Sequence, residues 1–302
     1  MNEITSPGFH SAITAREYFA EPCPQPALTA SGIKTLLGKT AAEFAYSHPA
    51  ITPDSPEAAS SAAKRFGDVS HQLALGKGRG YAIGDFPTWA SNAAKEFKAA
   101  AEEAGQTPVK RHEFETAEAC AKIMRADIED TLKLFGPASA KAPKFDTEVV
   151  IAWQEETAHG PIWCRAMLDV WCDAHGVILD PKFSKRLGDG VFETHASGLG
   201  WDLQAAWYLR GISHLRPDLA GRARFINLLV SPDAPHVSRV READEATLYS
   251  CLLEIERAIT RFAACLKAGN WPGYPRVIEP WTAKSWTMAE RAARAALEET
   301  DG

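Results

Sequence analysis

The spacing of hydrophobic residues changes from a helical to a strand-like period near the middle of the chain. Between about residues 88 and 135, apolar positions recur among runs of alanine, glutamate and lysine, which predicts helical structure. From about residue 145 the apolar residues fall in short β-rich runs, TEVVIAWQ, GPIWCRAMLDVWC and GVILDPKF. These runs predict three strands in a mostly antiparallel arrangement.

Helices are predicted on both sides of this strand trio. An N-cap at Thr29 or Ser31 starts one helix, and another starts near Ser60. After the strands come a helix in GLGWDLQAAWYLRGI, a strand in ARFINLLVS and a helix from about Glu242 to Ala268. This order predicts an α/β (α+β) fold around one sheet. We divide the chain into an N-terminal arm (1–25), a main domain (26–282) and a C-terminal helix or tail (283–302).

Composition narrows the class of protein. With 302 residues, of which 45% are hydrophobic, the chain is long enough for a full core. No apolar run is long enough to span a membrane, and the polar N-terminus does not resemble a secretory signal, so we expect a soluble intracellular protein. The formal charge of -6 disfavours a protein that coats nucleic acid non-specifically. Six scattered cysteines without a C-x-x-C pair indicate buried reduced thiols rather than a metal cluster.

Two aspartates stand out in the strand trio. The segment LDVWCDAHGVILDPK predicts a hairpin whose four-residue loop, Asp173 to Gly176, places glycine where a positive φ is needed. Counting back from the loop puts Asp169 directly across from Asp180. Like charges at that distance repel, so the pair predicts a cation between them.

Lys182 shares a strand face with Asp180, while Pro181 points the other way. Two carboxylates and the Pro181 carbonyl would form a hard oxygen site suited to Mg²⁺ or Mn²⁺, with Lys182 orienting or deprotonating a water. A proline inside a strand also indicates that one side of the ladder is open. The alternative is that these are ordinary strand-end residues, which a lone D-x-K pattern favours.

Other polar residues change that balance. Gly67 and His71 share a helix face distinct from the apolar one. Glu148 opens a β-rich strand, and Gln204 and Tyr208 lie at i and i+4 on a later helix. Each has an ordinary interpretation by itself: a surface histidine, a strand-end carboxylate, and a helix edge with a tyrosine packed on the sheet.

Taken in order, these motifs resemble the PD-(D/E)xK nuclease superfamily. More closely, they are similar to its RecB-type branch and to the C-terminal nuclease domain of exonuclease VIII, over most of the chain. The resemblance rests on G-x-x-x-H, the acidic strand, R-x-x-x-D, D-x-K and Q-x-x-x-Y, that is, on Gly67, His71, Glu148, Arg165, Asp169, Asp180, Lys182, Gln204 and Tyr208. It implies a restriction-endonuclease-like core with a central mixed sheet flanked by helices.

The resemblance also implies roles for these residues. Asp169, Asp180, the Pro181 carbonyl and His71 would hold the metal, Lys182 would be the catalytic lysine, and Glu148 would be a further site carboxylate. Gln204 and Tyr208 would hold DNA or brace the site, and Lys185, Arg186 and Arg210 are candidates for phosphate contacts. Two departures are Leu168, where the superfamily name has proline, and Phe183, where RecB-type enzymes usually have a hydroxyl residue.

The implied function is a metal-dependent DNA exonuclease of phage-type or prophage-type homologous recombination. By resemblance we expect digestion of linear duplex from the 5′ end, a single-strand annealing recombinase as partner, and a homo-oligomer in the cytoplasm of a bacterial host cell. Two alternatives remain: a RecB-like repair nuclease, and a DNA-binding protein that kept the fold and lost the chemistry. The cysteine spacing argues against an iron-sulfur version of the first, and the intact Asp169, Asp180 and Lys182 argue against the second.

Overall fold

The fold was analysed in a computed structural model of the 302-residue chain, which describes residues 2–55, 61–136 and 141–300. Its contacts divide the chain into two units, Met1–Trp271 and Pro272–Gly302. The second unit contains an extended segment and helix α10, Ser285–Thr300. None of the helices in the described part is long and apolar enough to cross a membrane.

The first unit contains nine strands and nine α-helices among its described residues. The strands are β1 Gly8–His10, β2 Ala27–Leu28, β3 Tyr81–Gly84, β4 Thr107–Lys110, β5 Asp146–Glu155, β6 Ile162–Cys172, β7 Val177–Phe183, β8 Arg224–Val230 and β9 Ser238–Glu242. The helices are α1 Ala15–Phe19, α2 Ala30–Gly38, α3 Ala41–Ser47, α4 Ala62–Leu75, α5 Asn92–Glu103, α6 Arg111–Lys133, α7 Val191–Leu199, α8 Trp201–Leu215 and α9 Glu245–Ala268, with a short 3-10 turn at Pro217–Leu219.

Seven of the strands form one mixed sheet in the order β1-β5-β6-β7-β8-β9, with β2 also paired to β6. The pairs β7–β8 and β2–β6 are parallel, and the others are antiparallel. A parallel pair needs a crossover, and α7 and α8 supply it between β7 and β8. The predicted antiparallel trio is confirmed as β5, β6 and β7.

The edge of β6 that faces β7 is only partly paired. β5 covers the other edge along most of the strand, so β2 and β7 must share this one. β2 pairs with Trp163 and Cys164 at one end, and β7 pairs with β6 from Val170 onwards at the other. Within the described chain, residues 165–169 therefore have no strand partner on this edge. We call this opening the notch.

Helices cover both faces of the sheet. On one face α2, α3, α8 and α9 enclose a large core, which includes Leu168 and Ile178. On the other, α4 and α6 pack over Val170 and Leu179. Leu168 and Val170 are two apart, yet they pack on opposite faces. The side-chain alternation of β6 thus breaks between them, at Asp169.

Most predicted elements are confirmed, and strand β4 was not predicted. Thr29 caps α2 by accepting a hydrogen bond from the Gly32 amide, and Ser61 caps α4 in the same way. The helical structure predicted between about residues 88 and 135 is confirmed as α5 and α6, but β4, which pairs with β3, lies between them. Gly105 has φ of 70°, which ends the helical backbone, and Pro108 in β4 would break a helix.

Candidate active site

The candidate site lies at the notch, where β6 and β7 separate. The predicted hairpin register is confirmed, since Cys172 pairs with Val177 and Trp171 with Ile178. Gly176 adopts φ of 65° in the loop, as the turn requires. The β6–β7 ladder ends at Val170–Leu179, and the next step of the same register brings Asp169 opposite Asp180. Their carboxyl groups are in hydrogen-bonding contact.

Polar residues continue this row into the neighbouring strands. On β5, Glu148 lies between the pairs Thr147–Val170 and Val149–Leu168, and so opposite Asp169. On β8, Asn227 pairs in register with Asp180. Glu148 has φ of 50°, an uncommon backbone conformation for a residue other than glycine, and such outliers cluster at functional sites.

Asp180 is almost fully buried and is held by three donors. Gln204 Nε2 donates to its Oδ1 at 3.0 Å, and Asn227 Nδ2 donates to its Oδ2 at 3.0 Å. Lys182 Nζ lies 2.6 Å from the same Oδ2 and donates to Gln204 Oε1 at 3.2 Å. These bonds compensate the desolvation of the carboxylate. The prediction that Asp180 and Lys182 share a strand face is confirmed.

His71 reaches the site from α4. Its Nε2 lies 3.2 Å from Asp169 Oδ1, and its Nδ1 lies 4.0 Å from Glu148 Oε1. The opposite side of α4 packs through Val69 on β4 and α6, with Phe66 and Leu73 beside it, as the separate apolar face predicted. His71 is therefore one of the residues that the fold brings together with the two aspartates.

The local charges shift the pKa values of these groups in opposite directions. Burial, together with the neighbouring Asp169, raises the pKa of Asp180 to about 6, although Lys182 opposes the shift. Burial also opposes ionisation of Asp169, but His71 and Lys182 outweigh it, and its pKa lies below the usual range. Burial raises the pKa of Glu148. For His71, burial favours the neutral ring, but the Asp169 and Glu148 charges outweigh burial and raise its pKa.

Gln204 and Tyr208 project from one face of α8, as predicted. Tyr208 is buried, its ring meets Phe225 edge-on at 5.6 Å, and burial raises the pKa of its phenol well above the usual range. A hydrogen bond with the Gln204 side chain opposes this shift of the pKa. Trp201, at the start of α8, places its ring 5.7 Å from Lys182 Nζ. Thus α8 supplies two residues that contact β7: Gln204, which bonds Asp180 and Lys182, and Trp201, which lies beside Lys182.

The remaining predicted residues lie at different distances from this centre. Pro181 is buried between Asp180 and Lys182 on β7. In the described part of the chain no β6 residue pairs with it, in line with the open side that a strand proline predicts. Lys185 and Arg186 follow β7 and are exposed, with Lys185 paired to Asp233 at 2.6 Å. Phe183 packs edge-on against Phe66 of α4.

Arg210 has a different set of partners from the acidic row. Its guanidinium is bidentate to Glu155, with Nε–Oε1 at 2.6 Å and Nη2–Oε2 at 2.9 Å, and it also contacts Glu256. Glu155 additionally accepts from the indole of Trp153 at 2.9 Å. We therefore leave Arg210 out of the site, although its predicted phosphate contact remains a prediction.

Sequence reasoning missed Asn227 and the environment of Arg165. Asn227 is the one polar residue in the otherwise apolar run FINLLV, and that isolation was the available signal. Arg165 Nη2 lies 2.8 Å from Glu21 Oε2, its side chain covers the Tyr18 ring, and Glu21 also meets His48 at 3.2 Å. This buried cluster depends on residues far apart in the sequence, so no local pattern indicates it.

The donor set is suited to a hard divalent cation. The three carboxylates, from Glu148, Asp169 and Asp180, are the oxygen ligands that Mg²⁺ and Mn²⁺ prefer, and the imidazole of His71 lies beside them. In the structure these side chains bond to one another and to their protein neighbours. No group of three His, Cys, Asp or Glu side chains in the described ranges is arranged to hold an ion. The residue types therefore fit a metal ion, while in the structure their polar atoms are paired with other protein groups.

The sequence matches no family model and no curated protein. Among solved structures, the chain is similar to the crystal structure of a protein from Eubacterium rectale provisionally named an exonuclease, with a TM-score of 0.54 and 15% identity over 85% of this chain and 91% of that one. That likeness supports the predicted fold, a central mixed sheet flanked by helices. A second structure, of the protein SSO0001, covers 55% of this chain and 68% of that one at 17% identity, but its TM-score of 0.26 carries no structural argument.

Proposed function

We propose that the protein is a metal-dependent DNA exonuclease of the PD-(D/E)xK type. It would digest linear double-stranded DNA, in the 5′ to 3′ direction, during homologous recombination of the phage or prophage type. The observation that carries the proposal is the contact of Asp169, Asp180 and Lys182 at an opening between two strands. The provisional name of the Eubacterium rectale protein agrees with this class of activity.

In this proposal Asp169 and Asp180 hold Mg²⁺ or Mn²⁺, with His71, Glu148 and the Pro181 carbonyl as further ligands or neighbours. The ion, when bound, polarises phosphate oxygens and lowers the pKa of a water. With a cation on Asp180, the ammonium of Lys182 would no longer be needed to balance the charge of that carboxylate. It is then available to orient the attacking water and to offset charge on the phosphate.

The neighbouring residues position this machinery. Gln204 bonds both Asp180 and Lys182, so it fixes their relative position, and Tyr208 holds Gln204 through a hydrogen bond. Lys185 and Arg186, exposed directly after β7, contact the phosphate backbone. Such contacts read charge and shape, so the proposed activity has no sequence specificity. The excess of acidic residues elsewhere is compatible with this local basic segment.

The wider setting follows from the resemblance of the motifs. The substrate is the end of a DNA duplex, and the exposed strand passes to a single-strand annealing recombinase. We also propose a homo-oligomer acting in the cytoplasm of a bacterial host cell. The competing nuclease is a RecB-like repair enzyme, and the competing non-enzyme is a DNA-binding protein with an inactive site.

The test is digestion of linear duplex DNA labelled at the 5′ end in one sample and at the 3′ end in another. Wild type and Lys182→Ala are compared with Mg²⁺, with Mn²⁺ and with EDTA. We expect early release of the 5′ label as mononucleotides, abolished by EDTA and by the substitution. A matched duplex in closed circular form is the control for internal cutting.

Each other result favours a different function. Cutting of the closed circle indicates an endonuclease, and early release of the 3′ label contradicts the polarity. Digestion from both ends, without the 5′ preference, favours the repair-type nuclease. Absence of cleavage with either metal, combined with tight DNA binding, leaves the inactive DNA-binding protein.

A further inference from the structure

We propose that the nucleic acid strand next to the cleaved phosphate runs over Gly67 on α4, towards the N-terminus of that helix. The inference rests on the proposed function, because it assigns a path to the substrate of that site. It makes Gly67 a residue selected for the space that it leaves open.

Gly67 has no structural reason to be glycine in the described part of the chain. It lies inside α4, away from both caps, and its φ is not among the positive ones. A Cβ added there would meet nothing within 4 Å. Glycine in a helix interior is less favourable than alanine, because its backbone loses more freedom on folding. Neither the backbone conformation nor the packing compensates that loss.

The open space lies beside the candidate site. Gly67 and His71 are four residues apart, so they occupy the same face of α4, about 5.4 Å apart along the axis. His71 Nε2 is 3.2 Å from Asp169 Oδ1. The side chains of the other face, such as Val69, are buried. A nucleic acid strand that places its phosphate at Asp169 and follows this face of α4 therefore passes next over Gly67, where no side chain obstructs it.

The charge along this face favours a phosphate backbone. Lys64 is exposed one turn further towards the N-terminus, at i-3 from Gly67. The N-terminus of a helix carries a partial positive charge that attracts anions, and Lys64 lies in the first turn of the 14-residue helix α4. Asp68 lies on the flank of this face. Burial raises the pKa of its carboxyl, and the charge of Lys64 opposes that shift. Asp169, Gly67 and Lys64 thus mark a continuous path.

The experiment compares Gly67→Ala and Gly67→Leu with a matched control, Gly38→Leu. Gly38 is also a helical glycine with nothing within 4 Å of an added Cβ, but it lies at the end of α2, where Arg261 of α9 bonds the adjacent carbonyls. Each protein is assayed for cleavage of linear duplex, for binding of the same duplex with Ca²⁺ in place of Mg²⁺, and for melting temperature with and without Mn²⁺.

We expect Gly67→Leu to lose about 10²-fold in kcat/KM, the effect of a misplaced substrate, and to bind the duplex correspondingly less tightly. Gly67→Ala should lose less activity while melting at or above the wild-type temperature. Both variants should keep the wild-type rise in melting temperature with Mn²⁺, since the carboxylates are untouched. Gly38→Leu should match wild type in all three measurements.

Three results overturn the inference, and they are distinguishable. If wild type cleaves and Gly67→Leu cleaves and binds equally well, the path is wrong and the nuclease function stands. If Gly67→Leu also loses the Mn²⁺ effect, the substitution has disturbed the metal site, and the steric explanation fails. A wild-type protein that neither binds nor cleaves DNA overturns the proposed function together with this path.

Discussion

The ammonium nitrogen of Lys182 lies 2.6 Å from Oδ2 of Asp180, on the same face of β7. Only 1% of the Asp180 surface is exposed, so this charge compensates much of the cost of burying the carboxylate. The contact therefore has two consequences, one for stability in the absence of a divalent cation and one for chemistry in its presence.

The variant Lys182→Met should show both effects, one on stability and one on cleavage. Loss of the ammonium leaves Asp180 with its two amide donors alone, and we expect about 1–3 kcal/mol of destabilisation in EDTA by denaturant unfolding. Cleavage should fall by about 10²–10⁴-fold. Lys185→Met is the stability control, because its exposed ion pair contributes about 0–1 kcal/mol. Retained cleavage by Lys182→Met would remove the lysine from the chemistry.

Asn227 is expected to hold Asp180 in position from the neighbouring strand. Asn227→Leu removes one donor to a buried carboxylate and should cost about 1–3 kcal/mol. Asn227→Asp places a further like charge beside Asp180 and should be less stable than Asn227→Leu in EDTA. Divalent metal should recover more stability in Asn227→Asp than in wild type. Equal stability of the two variants without metal would show that this contact is not with an ionised Asp180.

Metal binding should be visible without any nucleic acid. At a concentration of about 100 times Kd, an ion that binds only the folded state adds about 2.7 kcal/mol, which raises the melting temperature by about 5 °C or more. The rise should be present with Mg²⁺, Mn²⁺ or Ca²⁺ and absent in Asp180→Ala. Asp189→Ala, which removes an exposed carboxylate paired with Arg239, should keep it. A rise that survives in Asp180→Ala would place the ion elsewhere.

Stability should depend on pH through the buried Glu21. Burial raises the pKa of this carboxyl, but the hydrogen bond from His48 and the charge of Arg165 outweigh burial and lower it from 4.5. A lowered pKa in the folded state means that the stabilisation is complete above 4.5 and is lost as the pH falls through the folded-state value below it.

The corresponding comparison is wild type against Glu21→Gln. At neutral pH the variant leaves Arg165 buried without its partner, and we expect a loss of about 3–5 kcal/mol. The difference in unfolding free energy should shrink as the pH is lowered below 4.5 and should not shrink between neutral pH and 5. A difference that is constant down to acid pH would mean that Glu21 is protonated in the folded protein.

Arg210 distinguishes a structural ion pair from a phosphate contact. Glu155 is 4% exposed and would be left without its bidentate partner in Arg210→Met, so we expect a loss of about 3–5 kcal/mol. Affinity for duplex DNA should be unchanged in the fraction that is folded. Weakened binding, together with a smaller dependence of binding on salt, would instead restore the phosphate contact predicted from the sequence.

The local parts of the fold were predictable because local chemistry determines them. Gly176 fixes the hairpin loop, the loop fixes the register, and the register brings Asp169 to Asp180. Strand alternation then places Lys182 beside Asp180, and helical spacing places His71 and Gln204 on usable faces. These inferences need only distances of a few residues along the chain.

The rest depends on contacts between distant segments. Strand β1 lies in the segment predicted as an N-terminal arm, and nothing in GFH indicates its pairing with β5. The helical composition around residue 107 hid β4, because its parallel partner β3 lies more than a helix away. The break of alternation at Asp169 accompanies the unusual φ of Glu148, a backbone feature that residue type does not reveal.

The notch has a consequence for how the protein is made. Its far wall is β2, which pairs with Trp163 and Cys164 on β6, and Glu21, just before β2, neutralises Arg165 inside it. During synthesis the segment that contains Glu21 and β2 leaves the ribosome long before β6. It therefore stays unpaired until β6 has been translated. Because contacts between distant segments are slow to form, the hairpin that carries the two aspartates can assemble before its neighbour docks. We therefore expect the opening to acquire its final shape late in folding.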